Sequence, residues 1–171
     1  MIREFIRTRN RYDDPMNNFR ISGLSRQPFE HLFGRSDQEL AEVGARRSIV
    51  DKKPGFPDRI ALRDVDIGET VLLLNYTHHD VANPYRACHA IFVAERAAQT
   101  YDTVGEIPAV LRLRMLSLRA FDAAGFLLDA DVVDGANMEV AIERFFADGH
   151  VSYLHAHFAK HGCYAARIDR A

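Results

Sequence analysis

Tyr153-Leu154-His155-Ala156-His157-Phe158-Ala159-Lys160-His161-Gly162-Cys163-Tyr164-Ala165-Ala166-Arg167-Ile168-Asp169 is the stretch on which the reading of the fold turns. Apolar and polar residues alternate on either side of Lys160-His161-Gly162. Successive side chains of a strand point to opposite faces, so this is the pattern of two half-buried strands joined as a hairpin. With Gly162 in the left-handed position of a bulged three-residue turn, Ala159 faces Cys163. Leu154, Ala156 and Phe158 then face Ile168, Ala166 and Tyr164 on the apolar side. The other face collects Tyr153, His155, His157, Cys163, Arg167 and Asp169.

Working outward, residues 115–121 and 126–133 read as a second hairpin through Asp122-Ala123-Ala124-Gly125. The same turn, with Gly125 left-handed, sets Leu116, Leu118 and Ala120 against Val132, Ala130 and Leu128. Ser117 and Arg119 then oppose Asp131 and Asp129, which makes the two acids cross-strand partners rather than a catalytic pair. Between the hairpins Asn137 caps a helix whose Met138, Ala141, Ile142, Phe145 and Phe146 form one apolar stripe, with Gly149 ending it. The apolar run 70–76 reads as a central strand covered on both faces, 78–84 as a polar loop, and 87–93 as a further strand. Short strands are expected at 18–21 and 48–50, and Phe29, Leu32 and Phe33 suit one helical face. Ser36 with Glu39 makes a capping box, Pro54 and Pro57 stiffen a loop, and Pro108 opens a short helix. Residues 1–15, carrying Arg3, Arg7, Arg9 and Arg11, read as a disordered arm ahead of Met16. The expectation is a single α+β domain over 16–171. It is built on a mostly antiparallel mixed sheet with two C-terminal β-hairpins and a few short helices packed on it.

The composition agrees with one globular core: 171 residues, 47% hydrophobic and 27% charged. Lys and Arg number 22 against 24 Asp and Glu, a net charge of -2, with no dense basic stripe, so neither nucleic acid nor an anionic membrane is an expected partner. No apolar run approaches the roughly 20 residues that span a bilayer, and no secretory h-region opens the chain. The cytoplasm is the expected compartment, with Cys88 and Cys163 as free thiols.

Chemistry is suggested chiefly on the hairpin's polar face. His155, His157 and Cys163 are the candidate catalytic residues. Two imidazoles on one strand face can converge on zinc or iron, with Cys163, diagonal to His157, or His89, if its strand lies alongside, as a further ligand. Gly149 stands six residues before His155, as at the start of a cupin motif, but no glutamate follows at the required distance. A thiol and imidazole pair, Cys163 with His157 and with Arg167 favouring the thiolate, is the second arrangement. Tyr85 and Arg86, in the loop between two strands, and Arg167 are candidate substrate-binding residues, since a guanidinium clamps carboxylate or phosphate. The competing explanation is ordinary polar alternation on a half-exposed sheet. Two classes of function follow: a small metal- or thiol-dependent enzyme, and a non-catalytic module that binds a small anionic molecule or a partner protein.

Four short stretches carry a resemblance: Phe19-Arg20-Ile21-Ser22-Gly23-Leu24, Lys53-Pro54-Gly55-Phe56-Pro57, Pro84-Tyr85-Arg86-Ala87 and Gly162-Cys163-Tyr164-Ala165-Ala166-Arg167. In this order the chain resembles the bacterial domain of unknown function 1203 family, from about Met16 to the C-terminus. The resemblance implies a small bacterial cytoplasmic protein and brings no activity with it. The chain departs from the family pattern at Asp58, where relatives often carry cysteine, and near His89-Ala90, where they carry a Gly-Pro pair.

Overall fold

The computed structural model of the protein describes residues 19–171, so the expected arm at 1–15 and the strand start at Asn18 lie outside the described residues. Among the described residues nine strands form two sheets. The larger has the order β5-β1-β9-β8-β6-β7, with β1 Phe19–Ser22, β5 Asp102–Val104, β6 Met115–Phe121, β7 Leu127–Asp134, β8 Tyr153–Phe158 and β9 Tyr164–Arg170. The smaller has the order β2-β3-β4, with β2 Arg46–Ile49, β3 Thr70–His79 and β4 Ala87–Ala94. Neighbouring strands are antiparallel throughout both sheets. Three short α-helices, α1 Asp37–Glu42, α2 Ala109–Arg112 and α3 Met138–Phe146, complete the α+β fold. None of the described helices is long and apolar enough to cross a membrane.

The expected stripe of α3 is buried in full and packs against Leu116, Leu118, Leu154, Ala156 and Ile168 of the larger sheet. Its cap differs from expectation. Asn137 makes no side-chain capping bond; Asp134 instead accepts from the Ala136 amide and opens a single 3-10 turn ahead of the helix. At the other end Arg170 donates to the carbonyls of Phe146 at 2.9 Å, Asp148 at 2.8 Å and Val151 at 3.0 Å, so a guanidinium closes the negative end of the helix. Ser36 and Glu39 form the expected capping box on α1.

Both hairpin turns have the expected glycine, Gly125 at φ 78° and Gly162 at φ 72°, but a bulge breaks each expected register, away from the turn in the first hairpin and beside the turn in the second. In β6/β7 a bulge at Leu128 moves Ser117 opposite Val132, Leu118 opposite Asp131 and Ala120 opposite Asp129. Strand β7 is an edge, so the bulge turns Leu128 (44% exposed) and Val132 (59% exposed) outward at little cost. Asp131 pairs with Arg144 of α3 at 2.5 Å rather than with Ser117 or Arg119. In β8/β9 the pairs Leu154 with Ile168, His155 with Arg167 and Ala156 with Ala166 are as expected. A bulge at Ala165 then puts Tyr164 opposite His157. The side chain that joins His155 and His157 is therefore Tyr164, whose ring centroid lies 5.1 Å and 5.8 Å from theirs. Cys163 pairs instead with Phe158 and leaves the histidine face.

The buried apolar residues fall into two clusters, where composition led us to expect one core. The second lies on the smaller sheet, where Leu72, Leu74, Ile91 and Val93 meet Phe29, Leu32 and Leu40. Opposed residues share a face, and the pairs Leu72 with Val93, Leu74 with Ile91 and Tyr76 with His89 run along this one. Strand β3 does not stop at Tyr76: it continues to His79 with a bulge between Thr77 and His79 that leaves His78 unpaired. The apolar face of the smaller sheet thus ends in His78 and His89, brought against His155 and His157 of the larger one.

Candidate metal centre

Five imidazoles lie along this seam, and their hydrogen bonds separate them. His79 is fully committed: Nδ1 sits 2.8 Å from the Tyr85 carbonyl and Nε2 2.8 Å from the Tyr153 hydroxyl. A carbonyl can only accept, so Nδ1 carries the proton and Nε2 takes the phenolic one. His157 is half committed. Its Nδ1 lies 3.0 Å from the Gly162 carbonyl and must be the protonated nitrogen, which leaves Nε2 a lone pair, buried and without a partner. A carbonyl that fixes the tautomer of one imidazole nitrogen and frees the other is the usual outer-sphere support of a metal ligand.

His78 Nε2 and His89 Nδ1 are 3.2 Å apart, and one ligand nitrogen from each of His78, His89 and His157 lies within 4.8 Å of the other two. Two nitrogens held about 2.05 Å from a tetrahedral ion stand roughly 3.3 Å apart, so the His78 and His89 pair is already at ligand spacing. The third nitrogen needs a side-chain adjustment on the order of 1 Å to join them. His78 Nδ1 and His155 Nδ1 are further buried nitrogens without partners. Burial, reinforced by the neighbouring His89, lowers the His78 pKa to about 4; burial with Arg119 lowers His157 to about 3; burial with His78 lowers His155 to about 2. His89 is lowered too, again first by burial. All four are neutral at physiological pH, the state in which imidazole binds a metal.

Of the sequence candidates, His157 and His89 come together and His155 stands beside them without entering the trio. Cys163 takes no part in the trio; its sulfur accepts from Arg59 at 3.1 Å. Arg167 stacks on Tyr153 at 3.9 Å and is paired with Asp169 at 2.8 Å. Arg86 is paired with Asp80 at 2.9 Å on the surface. Tyr85 is part-exposed in an Asx turn, its amide bonded to Asn83 Oδ1 at 2.8 Å. The three groups expected to clamp a substrate therefore have intramolecular or turn-forming roles. Sequence reasoning missed His78, Arg119 and Arg59. The period-2 spacing Leu72, Leu74, Tyr76, His78 was the available signal for the first. Arg119 was read as a partner of Asp129, yet it is half-buried with no hydrogen-bonding partner among the described residues, and its charge lowers the pKa of His78, His89 and His157 alike.

A family model for proteins of unknown function, DUF1203, matches residues 55–170. The chain belongs to the DUF1203 family. The matched span holds all three imidazoles of the trio together with Arg59, Arg119 and Cys163, and it leaves out β1 and β2. No curated protein and no solved structure matches the chain.

Proposed function

We propose that this DUF1203 protein binds one zinc ion through His78, His89 and His157, and that the site makes it a small metal-dependent enzyme. The observation that carries this reading is the buried Nε2 of His157, without a partner among the described residues, on a ring 5.0 Å and 5.7 Å from those of His78 and His89, whose own nitrogens are already at ligand spacing. Three protein ligands, with no fourth among the described residues, is the arrangement of catalytic rather than structural zinc, whose open position holds a water of lowered pKa. Three neutral ligands leave both charges of the ion unbalanced, and Arg119 adds a third positive charge. An anion is therefore favoured in the fourth position, either hydroxide or the charged group of a substrate. The chain's own part is to hold His157 through Gly162, to keep the imidazoles neutral by burial, and to present Arg119 to the incoming anion. Two free cysteines support a reducing compartment, and with the family resemblance we place the protein in the bacterial cytoplasm.

Elemental analysis of untagged protein tests the reading. One zinc per chain after purification, or after titration with zinc followed by desalting, is the expected result. Protein that neither carries nor takes up zinc or iron contradicts it.

A further inference from the structure

A second site lies beyond the trio, at the turn of the last hairpin. A cavity of about 610 Å³ opens there, within the usual range for small-molecule pockets. Its walls are apolar, with Pro57, Phe92, Met115 and Phe158; beside histidines and Cys163 it presents the basic groups of Arg59, Arg114 and Lys160, with no carboxylate among the lining residues. The two guanidiniums lie 5.0 Å and 5.3 Å from the Phe158 ring centroid, so two positive charges share one aromatic ring. Among the described residues Arg114 alone of the two has a counter-ion, Asp64, at 2.9 Å and 2.5 Å.

Arg59 is 1% exposed and has no carboxylate in contact among the described residues. Its Nε donates to the Tyr164 carbonyl at 2.8 Å, Nη1 to the Pro57 carbonyl and Nη2 to Cys163 Sγ at 3.1 Å. Asp58 is buried next to it in sequence, but that carboxylate is spent on the amides of Ala61 at 2.6 Å and Ala94 at 2.8 Å. A guanidinium has five N–H groups, so two on Arg59, a residue that lines the cavity, have no partner among the described residues. A buried charge persists when it is paired; among the described residues Asp58 and the Cys163 sulfur favour the charged Arg59, but no carboxylate touches it, and an anion in the cavity completes the pairing.

We propose that this cavity binds a small organic carboxylate, with the carboxylate on the free N–H groups of Arg59 beside Cys163 and an apolar body against Phe92, Met115 and Phe158. A ring or short chain fills the walls, and the single negative charge completes Arg59. The site stands independently of the zinc reading, although His89 forms part of its wall.

The test uses metal-free full-length protein, so that carboxylate bound to zinc cannot imitate it. Cys163 is alkylated with iodoacetate or with iodoacetamide, and the exposed Cys88 in the same molecule serves as reference. In each case the sulfur bonds to the reagent's methylene carbon as iodide leaves. The expected rate ratio of iodoacetate to iodoacetamide is at least tenfold higher at Cys163 than at Cys88, read by peptide mass spectrometry. Benzoate slows the labelling of Cys163 and raises the unfolding midpoint, whereas benzamide, of the same shape without the charge, does neither. Equal ratios at the two cysteines, protection by benzamide equal to that by benzoate, or failure of either reagent to reach Cys163 overturns the proposal.

Discussion

His157 gives one nitrogen to Gly162 and has no hydrogen-bonding partner for the other, whereas His155, two residues earlier on the same face, stands outside the ligand trio. The difference yields a residue-scale prediction. His157→Ala removes a ligand and abolishes zinc-dependent stabilisation, which at 100 times the dissociation constant is about 2.7 kcal/mol in the parent protein. His155→Leu keeps that increment, and it changes the metal-free stability little because an apolar side chain replaces a buried group whose Nδ1 is already unsatisfied. Urea unfolding with and without zinc reads both; equal losses in the two variants count against the trio. Sequence alone reached His157 through strand parity and named His89 on the condition that its strand lay alongside. It passed over His78 because a polar run ahead of Pro84 has the composition of a loop, and only the bulge reveals it as strand. Arg59 was beyond reach, since nothing local marks an arginine that meets Cys163 across 104 positions of chain.

At the scale of elements, turn chemistry was legible and bulges were not. Gly125 and Gly162 take the left-handed conformation that their hairpins require, because turn residues act through their own backbone. Leu128 and Ala165 look like any other strand residue, yet each bulge shifts the pairing by one position, on the far side of Leu128 in the first hairpin and on the turn side of Ala165 in the second. That shift exchanges Cys163 for Tyr164 on the histidine face, and with it the thiol arrangement read from spacing gives way to an imidazole trio. The stripe on α3 was legible for the opposite reason, since five buried residues repeat one period. What holds the end of that helix was not, because Arg170 reaches the carbonyl of Phe146 from a strand 24 residues away. Arg170→Ala is expected to cost about 1.5–3 kcal/mol, the range for hydrogen bonds to a charged group. A urea midpoint equal to that of the parent protein contradicts the clamp.

For the whole molecule, two apolar clusters meet across a seam of imidazoles, and composition contains no trace of that division. The seam makes stability depend on pH. His78, His155 and His157 titrate at about 4, 2 and 3 in the folded chain and near 6.5 when unfolded, so the unfolded state binds more protons below neutrality. Their contribution is fully present above about pH 6.5 and is lost as pH falls toward the folded values, at about 1.4 kcal/mol per pH unit for each group. Asp58, raised by burial, acts in the opposite sense, one group against three. Metal-free protein should lose stability steeply from pH 7 to pH 5, and a flat urea midpoint over that span contradicts a buried, neutral seam.

The claim that ties these scales together is that the seam is a ligand set, and X-ray absorption at the zinc edge of the reconstituted protein addresses it directly. Three imidazole nitrogens at about 2.0–2.1 Å with one further light ligand is the predicted first shell. A sulfur at about 2.3 Å, which only Cys88 or Cys163 could supply as thiolate, contradicts it.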